Sequence, residues 1–344
     1  MSEDSAYAAT PFDHAKADII LRSSDDIDFR VFKLFLTLAS PSFETLFDIP
    51  QPTEPGNDQE MKDGLAVIRV QENEKTLDTL LRFCYPCTLA EDPKLEVLED
   101  LVDVLEAARK YSLDTIERKV HQALSNPKII EAEPLRCFVI ARRGHAREET
   151  LLAAKYTLTQ PLIPSWFEEI SLITAADLLA LLTYHQTCGN AVYALSNDMS
   201  WIQSHYGSSQ GCPWLSKESK KSRMESKKKG YDSENDDSSC RCARSTTGTY
   251  SLFKSQPLKW WEDFMVETFA ALRDKPCRVT VESFAAKTVQ SVRARNCPTC
   301  SVNISEHMRD FSELLTRKVD EVVSEVRSVI LVRKISFQIM IFLL

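Results

Sequence analysis

The chain has 344 residues with 42 basic and 50 acidic side chains, which gives a formal net charge of −8. The length predicts about two domains, and the acidic balance argues against a general nucleic-acid binder. Only 8 residues are glycine, and no two of them lie two or five positions apart. Neither the G-x-G-x-x-G nor the G-x-x-x-x-G-K phosphate loop can therefore be written, which excludes the two common designs of nucleotide-binding enzyme.

Residues 15–125 predict one block of short strands and helices. The segment AKADIILR indicates a buried strand. Residues 27–32 alternate between apolar and polar side chains, the period of a half-buried strand, and this places Asp28 and Arg30 on the outward face. The polar residues 24–26 lie between the two strands and predict a hairpin turn.

Two helices follow the hairpin and are divided at Ser40-Pro41. Serine favours the N-cap of a helix and proline favours its first position, so the second helix is predicted to begin here. A polar, proline-rich loop is predicted over 49–64, followed by a third strand, LAVIRV, and a helix that ends near Pro86. The last helix of the block has one predicted buried face, formed by Leu98, Leu101, Val102, Leu105 and Ala108.

The rest of the chain predicts helices on either side of a polar insertion. A basic block and then an acidic block give the insertion the composition of a disordered segment. Near the carboxyl end, one stripe predicts an amphipathic helix that packs on its own domain or binds a partner; it consists of Met308, Phe311, Leu315, Val319, Val322, Val326 and Val329. The predicted divisions are a disordered N-terminus (1–14), the mixed block (15–125), a helical region (131–203), a low-complexity insertion (204–256), a helical C-terminal region (257–332) and an apolar tail (333–344).

The two ends of the chain carry separate expectations. The acidic, polar start predicts that there is no secretory signal. The tail ends in ISFQIMIFLL, a run that is too short to span a bilayer. Two readings stay open for it: the tail docks in a groove of the core, or it lies outside a well-ordered native fold.

A longer motif runs through the mixed block. It reads Phe29-Arg-Val31-Phe32-Lys33, then Leu36, then Ser40-Pro-Ser-Phe43, with Asp18 opening the first strand and LLRFCYP closing a later helix. In this order the residues resemble the BTB/POZ domain, although Phe32 stands where the family usually has histidine. The rest of the chain further resembles the long BTB proteins of mushroom-forming fungi. The segments that carry this resemblance are ARRGHAREETLLAAKYTL, LLTYHQTCG, the Trp260-Trp261 pair and the late CPTC.

Together with the helical patterns and the polar insertion of the rest of the chain, the predicted fold class is α+β: a BTB/POZ domain with a small sheet and surrounding helices, followed by an all-α region with a disordered insertion. The resemblance implies the BTB/POZ part of this fold. It also implies a non-catalytic protein-interaction module. In the family, the first strand and first helices pair with a second copy, so the resemblance predicts a homodimer through Asp18, Leu21, Phe35 and Leu38. The alternative is that the apolar members of this set belong only to the domain's own core.

Other family members recruit partners such as cullin scaffolds, so a substrate adaptor of a cullin-type ubiquitin ligase is one implied role. The alternative is a nuclear regulator of transcription or chromatin. The basic run over 217–229 would then serve as an import signal, against the simpler view of a solvated linker. Both roles place the chain in the cytoplasm or the nucleus, with protein partners and with no small-molecule substrate or membrane.

Catalytic constellations are not expected. The six histidines form no H-E-x-x-H or related motif, and no cofactor is predicted apart from a structural zinc ion. Cys297-Pro-Thr-Cys300 has the spacing that lets two thiolates reach one ion. The candidate remaining ligands are Cys240 and Cys242, or His185 and Cys188; simple helical burial is the alternative for the last two. Cys84 and Cys87 share this spacing but are interpreted as structural thiols.

Overall fold

The computed structural model describes residues 6–48, 60–161, 166–215, 242 and 250–341, with side chains through Arg327. The chain forms two compact units. Unit 1 comprises Met1–Ala154 and Phe167–Leu172, and unit 2 comprises Lys155–Trp166 and Ile173–Leu344. Unit 1 contains a small sheet with helices, whereas every regular element described in unit 2 is helical. The predicted α+β class with a helical second part is confirmed.

Four strands form the sheet of unit 1: β1 (Ile19–Arg22), β2 (Asp28–Val31), β3 (Met61–Lys62) and β4 (Leu65–Arg69). Their order is β2-β1-β4-β3. The β1–β2 pair is antiparallel, with Leu21 opposite Phe29, which confirms the predicted hairpin. Asp26 has a φ of 60° in the turn between them. The sequence missed β3, because a two-residue strand inside a polar loop has no detectable alternation.

Eight helices follow or flank the sheet: α1 (Lys33–Ala39), α2 (Pro41–Asp48), α3 (Glu74–Cys84), α4 (Leu98–Lys110), α5 (Asp114–Ala123), α6 (Pro127–Ile130), α7 (Pro134–Arg143) and α8 (Arg147–Thr157). The predicted break at Ser40-Pro41 is confirmed. The Ser40 hydroxyl oxygen accepts a 3.0 Å hydrogen bond from the Ser42 amide, so it caps the start of α2. On α4 the buried face includes Val104 in place of the predicted Val102, which is only half-buried.

The amino-terminal segment corrects the first predicted boundary. Residues 6–14, assigned from sequence to a disordered N-terminus, run along β2. The Ala8 amide donates to the Asp28 carbonyl at 2.9 Å, and the Arg30 amide donates to the Phe12 carbonyl at 2.8 Å. Phe12 is fully buried, with its ring 5.6 Å from that of Phe29 and 5.2 Å from that of Tyr85. This single aromatic anchor lies in a polar stretch, and composition alone did not reveal it.

A buried ion cluster joins three strands of the sheet. Asp28 is fully buried, and its carboxylate accepts from Arg22 Nε at 2.5 Å and from Lys62 Nζ at 2.8 Å. Arg22 also pairs with Glu60. Hydrogen bonding to Asp28 raises the pKa of Arg22 above its ordinary value. The outward face predicted for Asp28 is therefore wrong: residues 6–8 pair with its backbone, and the side chains of Arg22 and Lys62 neutralise its carboxylate.

In unit 2 the helices are α9 (Ala175–Ala194), α10 (Ser200–Tyr206), α11 (Lys259–Asp274), α12 (Arg278–Ala294) and α13 (Cys300–Ile341). Their core is aromatic and centres on the fully buried Phe311 of α13. Its ring lies 4.8 Å from that of Trp214, 5.6 Å from Trp261, 5.9 Å from Phe264 and 6.1 Å from Trp201. The Trp214 and Trp261 rings stack 5.7 Å apart. Aromatic burial on this scale is a major stabilising contribution.

Trp214 also corrects the boundaries of the predicted insertion at 204–256. Trp214 and Leu252, both inside that range, are buried. The Leu258 amide at the start of α11 donates to the Trp214 carbonyl at 2.8 Å. Both ends of the predicted insertion therefore belong to the core of unit 2. Residues 216–241 and 243–249, including the basic run over 217–229, lie outside the described residues.

The C-terminal stripe packs within unit 2. Met308, Phe311, Leu315 and Val319 are all buried, and α13 lies against α9 and α12. The backbone of α13 continues through Ile341, so the described part of the tail is helical. Side chains beyond Arg327, including Val329 of the stripe, are outside the description. Among the described residues, none of the helices combines the length and apolar character that a membrane span requires.

Gly189 permits a close contact between α9 and α11. A Cβ at this position would lie 2.1 Å from the backbone carbonyl oxygen of Arg273. Real Cβ atoms do not approach this closely, and a backbone carbonyl cannot move aside as a flexible side chain can. Glycine is therefore required at this position because a side chain would clash with the backbone of α11, and α9 continues through it.

We predict that Asp28→Asn destabilises unit 1 by about 3–5 kcal/mol, because the buried Arg22 and the half-buried Lys62 lose the buried carboxylate that they share. Faster amide hydrogen exchange of β1 and β2 in full-length protein measures the effect. The matched control is Asp26→Asn, whose carboxylate pairs with Arg69 at a site where both side chains are at least 60% exposed. That change should cost no more than about 1 kcal/mol. Equal effects of the two substitutions would contradict the role assigned to the cluster.

Gly189→Ala is predicted to destabilise unit 2 by about 1–3 kcal/mol through overpacking. Helix propensity alone predicts the opposite sign, a gain of about 1 kcal/mol. All five tryptophans lie in unit 2, so their fluorescence during urea unfolding reports on this unit. The control is Asn190→Ala at the next, exposed position. A Gly189→Ala protein as stable as this control would refute the close-contact argument.

Candidate interaction surface and cysteine cluster

The start of α1 is held from two sides within unit 1. The Asp18 carboxylate accepts from the Lys33 amide at 2.8 Å, so it satisfies a backbone donor in the first turn of the helix. The Phe32 amide donates to the Tyr85 hydroxyl oxygen at 3.1 Å. Burial raises the pKa of Tyr85 to about 12, which keeps the hydroxyl neutral. These two contacts fix which faces of α1 turn inward and outward.

The residues predicted to mediate self-association divide among different environments. Leu21 is fully buried in β1, so it cannot contact a partner; this part of the prediction is wrong because Leu21 belongs to the sheet core. Asp18 has the capping role just described. Phe35 is half-buried, and its ring lies 5.0 Å from that of Tyr85 and 5.6 Å from that of Phe32. Only Leu38 is strongly exposed among the apolar members of the set.

Two leucines form an exposed apolar strip on α1, which we call the α1 surface. Leu38 is 77% exposed and Leu34 is 61% exposed, whereas Leu36 between them is fully buried. Residues four positions apart lie on the same side of a helix, so the two leucines are neighbours. Sequence reasoning missed Leu34. The four-residue spacing to Leu38 was the available signal, but both were also consistent with core positions.

Leu38 extends this apolar surface into an open groove of about 420 Å³ in unit 1. The ends of α1 and α3 form one wall, and the start of α5 forms the other. Lys119 provides a cation at the rim. The lining residues are Leu38, Ala39, Phe83, Cys84, Ser112, Leu113, Asp114, Thr115, Ile116 and Lys119.

Three of the predicted metal ligands meet in unit 2. The sulfur atoms of Cys242, Cys297 and Cys300 all lie within 4.8 Å of one another. Cys297 and Cys300 are buried and Cys242 is half-buried. In the described part of the chain, this is the one group of three or more His, Cys, Asp or Glu side chains with metal-binding proximity. Cys240 lies outside the described residues.

His185 and Cys188 do not join this cluster, which corrects their assignment as additional ligands. Both lie on α9 and are buried there. Burial lowers the pKa of His185, next to the backbone of Gln160 and Thr157, and burial raises the pKa of Cys188 to about 12. His185 and Cys188 therefore belong to the buried face of α9.

The second C-x-x-C pair has a different environment. Cys84 ends α3, and burial raises the pKa of its thiol to about 12, whereas Cys87 is exposed. No group of three ligand side chains among the described residues includes either thiol.

Comparison with known proteins adds one family assignment. The profile of the BTB/POZ domain family matches residues 11–128. The match includes the sheet, α1 to α5 and Phe12 of the amino-terminal segment, in agreement with the structure. No curated protein matches the chain. The BTB/POZ family is an interaction family and not a catalytic one, so residues 11–128 of this chain are a BTB/POZ domain, a protein–protein interaction module.

Proposed function

We propose that the chain self-associates through the α1 surface and acts as a non-catalytic adaptor between protein partners. The observation that carries this proposal is the exposure of Leu34 and Leu38 on a helix whose orientation is fixed by Asp18 and Tyr85. A helix anchored in this way cannot rotate to hide the leucines. A second copy is the occupant we propose, because BTB domains pair through their first strand and first helices.

A two-fold interface is consistent with the size of this strip. In a symmetric dimer each copy contributes the same residues, so four leucines would be buried together. Full burial of one leucine side chain is worth about 1.5–3 kcal/mol. Four such side chains, each already partly buried within its own copy, supply part of the gross gain; micromolar association needs about 8 kcal/mol after the cost of association, so the surrounding interface must supply the rest. The half-buried Phe35 would add contact area at the edge of the strip.

We further propose that one partner is a cullin-type scaffold and that the helical second unit binds the client. The groove beside Leu38 supports a second docking position on the BTB domain, with walls that combine apolar side chains with the polar Ser112 and Thr115 and the charged Lys119. The absence of a predicted catalytic motif in the sequence is consistent with an adaptor role. In this role the chain would work in the cytoplasm or the nucleus.

The dimer proposal predicts that Leu34→Asp combined with Leu38→Asp converts a dimer into a monomer, because each copy would place two carboxylates in an apolar interface. Sedimentation velocity at about 50 µM, well above a micromolar Kd, measures the change. Leu89→Asp is the matched control, since Leu89 is an exposed leucine of the same domain that lies outside α1. A monomeric unmodified protein, or a dimeric double variant, would contradict the proposal.

The scaffold proposal is tested separately with a purified cullin amino-terminal domain. A complex should form with the unmodified full-length protein at micromolar concentration, and Lys119→Glu at the groove should weaken it at least about tenfold, a loss of about 1.4 kcal/mol. Leu89→Asp again serves as the control. If no complex forms, the cullin role is wrong while self-association stands.

The nuclear alternative rests on the seven basic side chains within 217–229. If this run directs import, a fluorescent fusion of the full chain should accumulate in the nucleus and lose that accumulation when 217–229 is deleted. Identical distributions of the two fusions would remove the argument for import.

A further inference from the structure

We propose that Cys242, Cys297 and Cys300 bind one zinc ion through three thiolates of unit 2. The site lies outside the BTB domain, and its existence does not depend on the function proposed for that domain. The observation behind it is the position of the three sulfur atoms, which all lie within 4.8 Å of one another. All three residues are reduced cysteines in the structure.

The spacing of the three sulfur atoms fits a single ion. Zinc binds cysteine thiolates at about 2.3 Å, so sulfur atoms around one tetrahedral zinc ion lie roughly 3.8 Å apart. The observed sulfur atoms lie within 4.8 Å of one another, so each pair needs to close by about an ångström at most. A modest rotation about χ1 supplies this movement. Thiolates also favour zinc over magnesium and calcium, which bind oxygen ligands.

The turn between α12 and α13 places two of the ligands. Asn296, with a φ of 50°, lies in the left-handed region at the start of this turn. The Cys297 carbonyl accepts from the Ser301 amide at 2.9 Å, and Cys300 is the first residue of α13. Structural zinc sites commonly take a pair of ligands from one turn with this C-x-x-C spacing.

Contacts on both sides of the turn fix its position. Val292 on α12 and Ile304 on α13 are fully buried. The Ser301 hydroxyl donates to the Val292 carbonyl at 3.4 Å, and Arg293 Nη2 donates to the Ser305 hydroxyl oxygen at 2.8 Å. Two thiolates on a backbone held in this way are ordered before an ion arrives, so binding does not bear the cost of organising them.

Cys242 brings the third sulfur atom from a distant part of the sequence. Cys297 and Cys300 are buried and Cys242 is half-buried, so the ion would lie at the edge of the core with two of its ligands shielded from water. Shielding strengthens the attraction between a divalent cation and thiolates. A disulfide would account for two convergent sulfur atoms, whereas one ion accounts for all three.

Three thiolates fill three of the four positions that zinc usually has in proteins. Among the residues that the structure describes, the group contains no fourth histidine, cysteine, aspartate or glutamate side chain. We assign the ion to the three thiolates alone. Its effect would be to fasten Cys242 to the turn before α13, which limits the conformational freedom of the chain between them.

Metal content of the full-length protein tests the proposal. After incubation with zinc chloride and gel filtration, inductively coupled plasma mass spectrometry should find about one zinc per unmodified chain and fewer than about 0.2 after Cys297→Ser with Cys300→Ser. Cys84→Ser with Cys87→Ser is the matched control: it removes a pair with the same spacing and should keep the zinc. Fewer than about 0.2 zinc per unmodified chain, or equal zinc in the two double variants, would overturn the proposal.

X-ray absorption at the zinc edge identifies the ligands in the unmodified protein, so its result does not depend on whether a variant folds. At least three sulfur atoms at about 2.3 Å are expected around the ion. A first shell with fewer than three sulfur atoms would contradict the proposed ligand set.

Cys242→Ser tests the ligand that is distant in sequence. We expect it to lower zinc affinity at least about tenfold in competition with a chromogenic chelator, since even the loss of a group that only orients a ligand can cost this much. Cys277→Ser is the matched control, because Cys277 is a thiol of unit 2 that precedes α12 and is not in the cluster. Equal zinc affinities of the two variants would overturn the assignment of Cys242.

Discussion

The BTB domain depends on the burial of one carboxylate, that of Asp28. Its side chain neutralises Arg22 on β1 and Lys62 on β3, and its backbone pairs with residues 6–8. A charge in this position is tolerated only because both cations and their hydrogen bonds are present. The cluster therefore sets the relative positions of the hairpin, the short strand β3 and the amino-terminal segment. With the hairpin in place, the end of β2 directs the chain into α1.

The contacts that orient α1 connect the sheet core to the proposed function. Asp18 and Tyr85 hold the first turn of α1, and the buried Leu36 determines the inward face of the helix. Leu34 and Leu38 are outward as a consequence of these contacts. An apolar surface on an anchored helix is costly for a monomer to leave in water, and pairing with a second copy removes that cost. The structural role found for Asp18 thus supports the proposed interface indirectly, because its carboxylate caps the start of α1.

Features that depend on neighbouring residues were predicted correctly from the sequence, whereas features that depend on tertiary contacts were missed. The β1–β2 hairpin depends on the alternation of apolar and polar side chains, and the break at Ser40-Pro41 depends on helix capping. Both signals are carried by neighbouring residues. Phe12 and Trp214 lie in polar stretches whose composition resembles that of disordered segments, and only their distant partners show that they are core residues. Asp28 was assigned outward because its pairing with Lys62, on a two-residue strand far along the chain, has no sequence signal.

The candidate sites show the same difference between local patterns, which the sequence reveals, and tertiary contacts, which it does not. Leu21 and Leu38 could not be distinguished from the sequence, because both are leucines in the region predicted to mediate self-association. In the structure Leu21 is fully buried and Leu38 is 77% exposed. The C-x-x-C spacing correctly identified a pair that the fold brings to a third cysteine, but it did not distinguish Cys242 from His185 as the companion. Gly189 shows the same limit, since its close contact with the Arg273 carbonyl of α11 is a tertiary constraint that the sequence of α9 does not show.

Hydrogen exchange as a function of protein concentration tests the central claim, self-association through α1, most directly. The amides of Lys33–Ala39 should become more protected as concentration rises through the dissociation constant, while those of α9 in unit 2 stay unchanged. Protection of α1 that does not vary from nanomolar to about 50 µM would contradict the account.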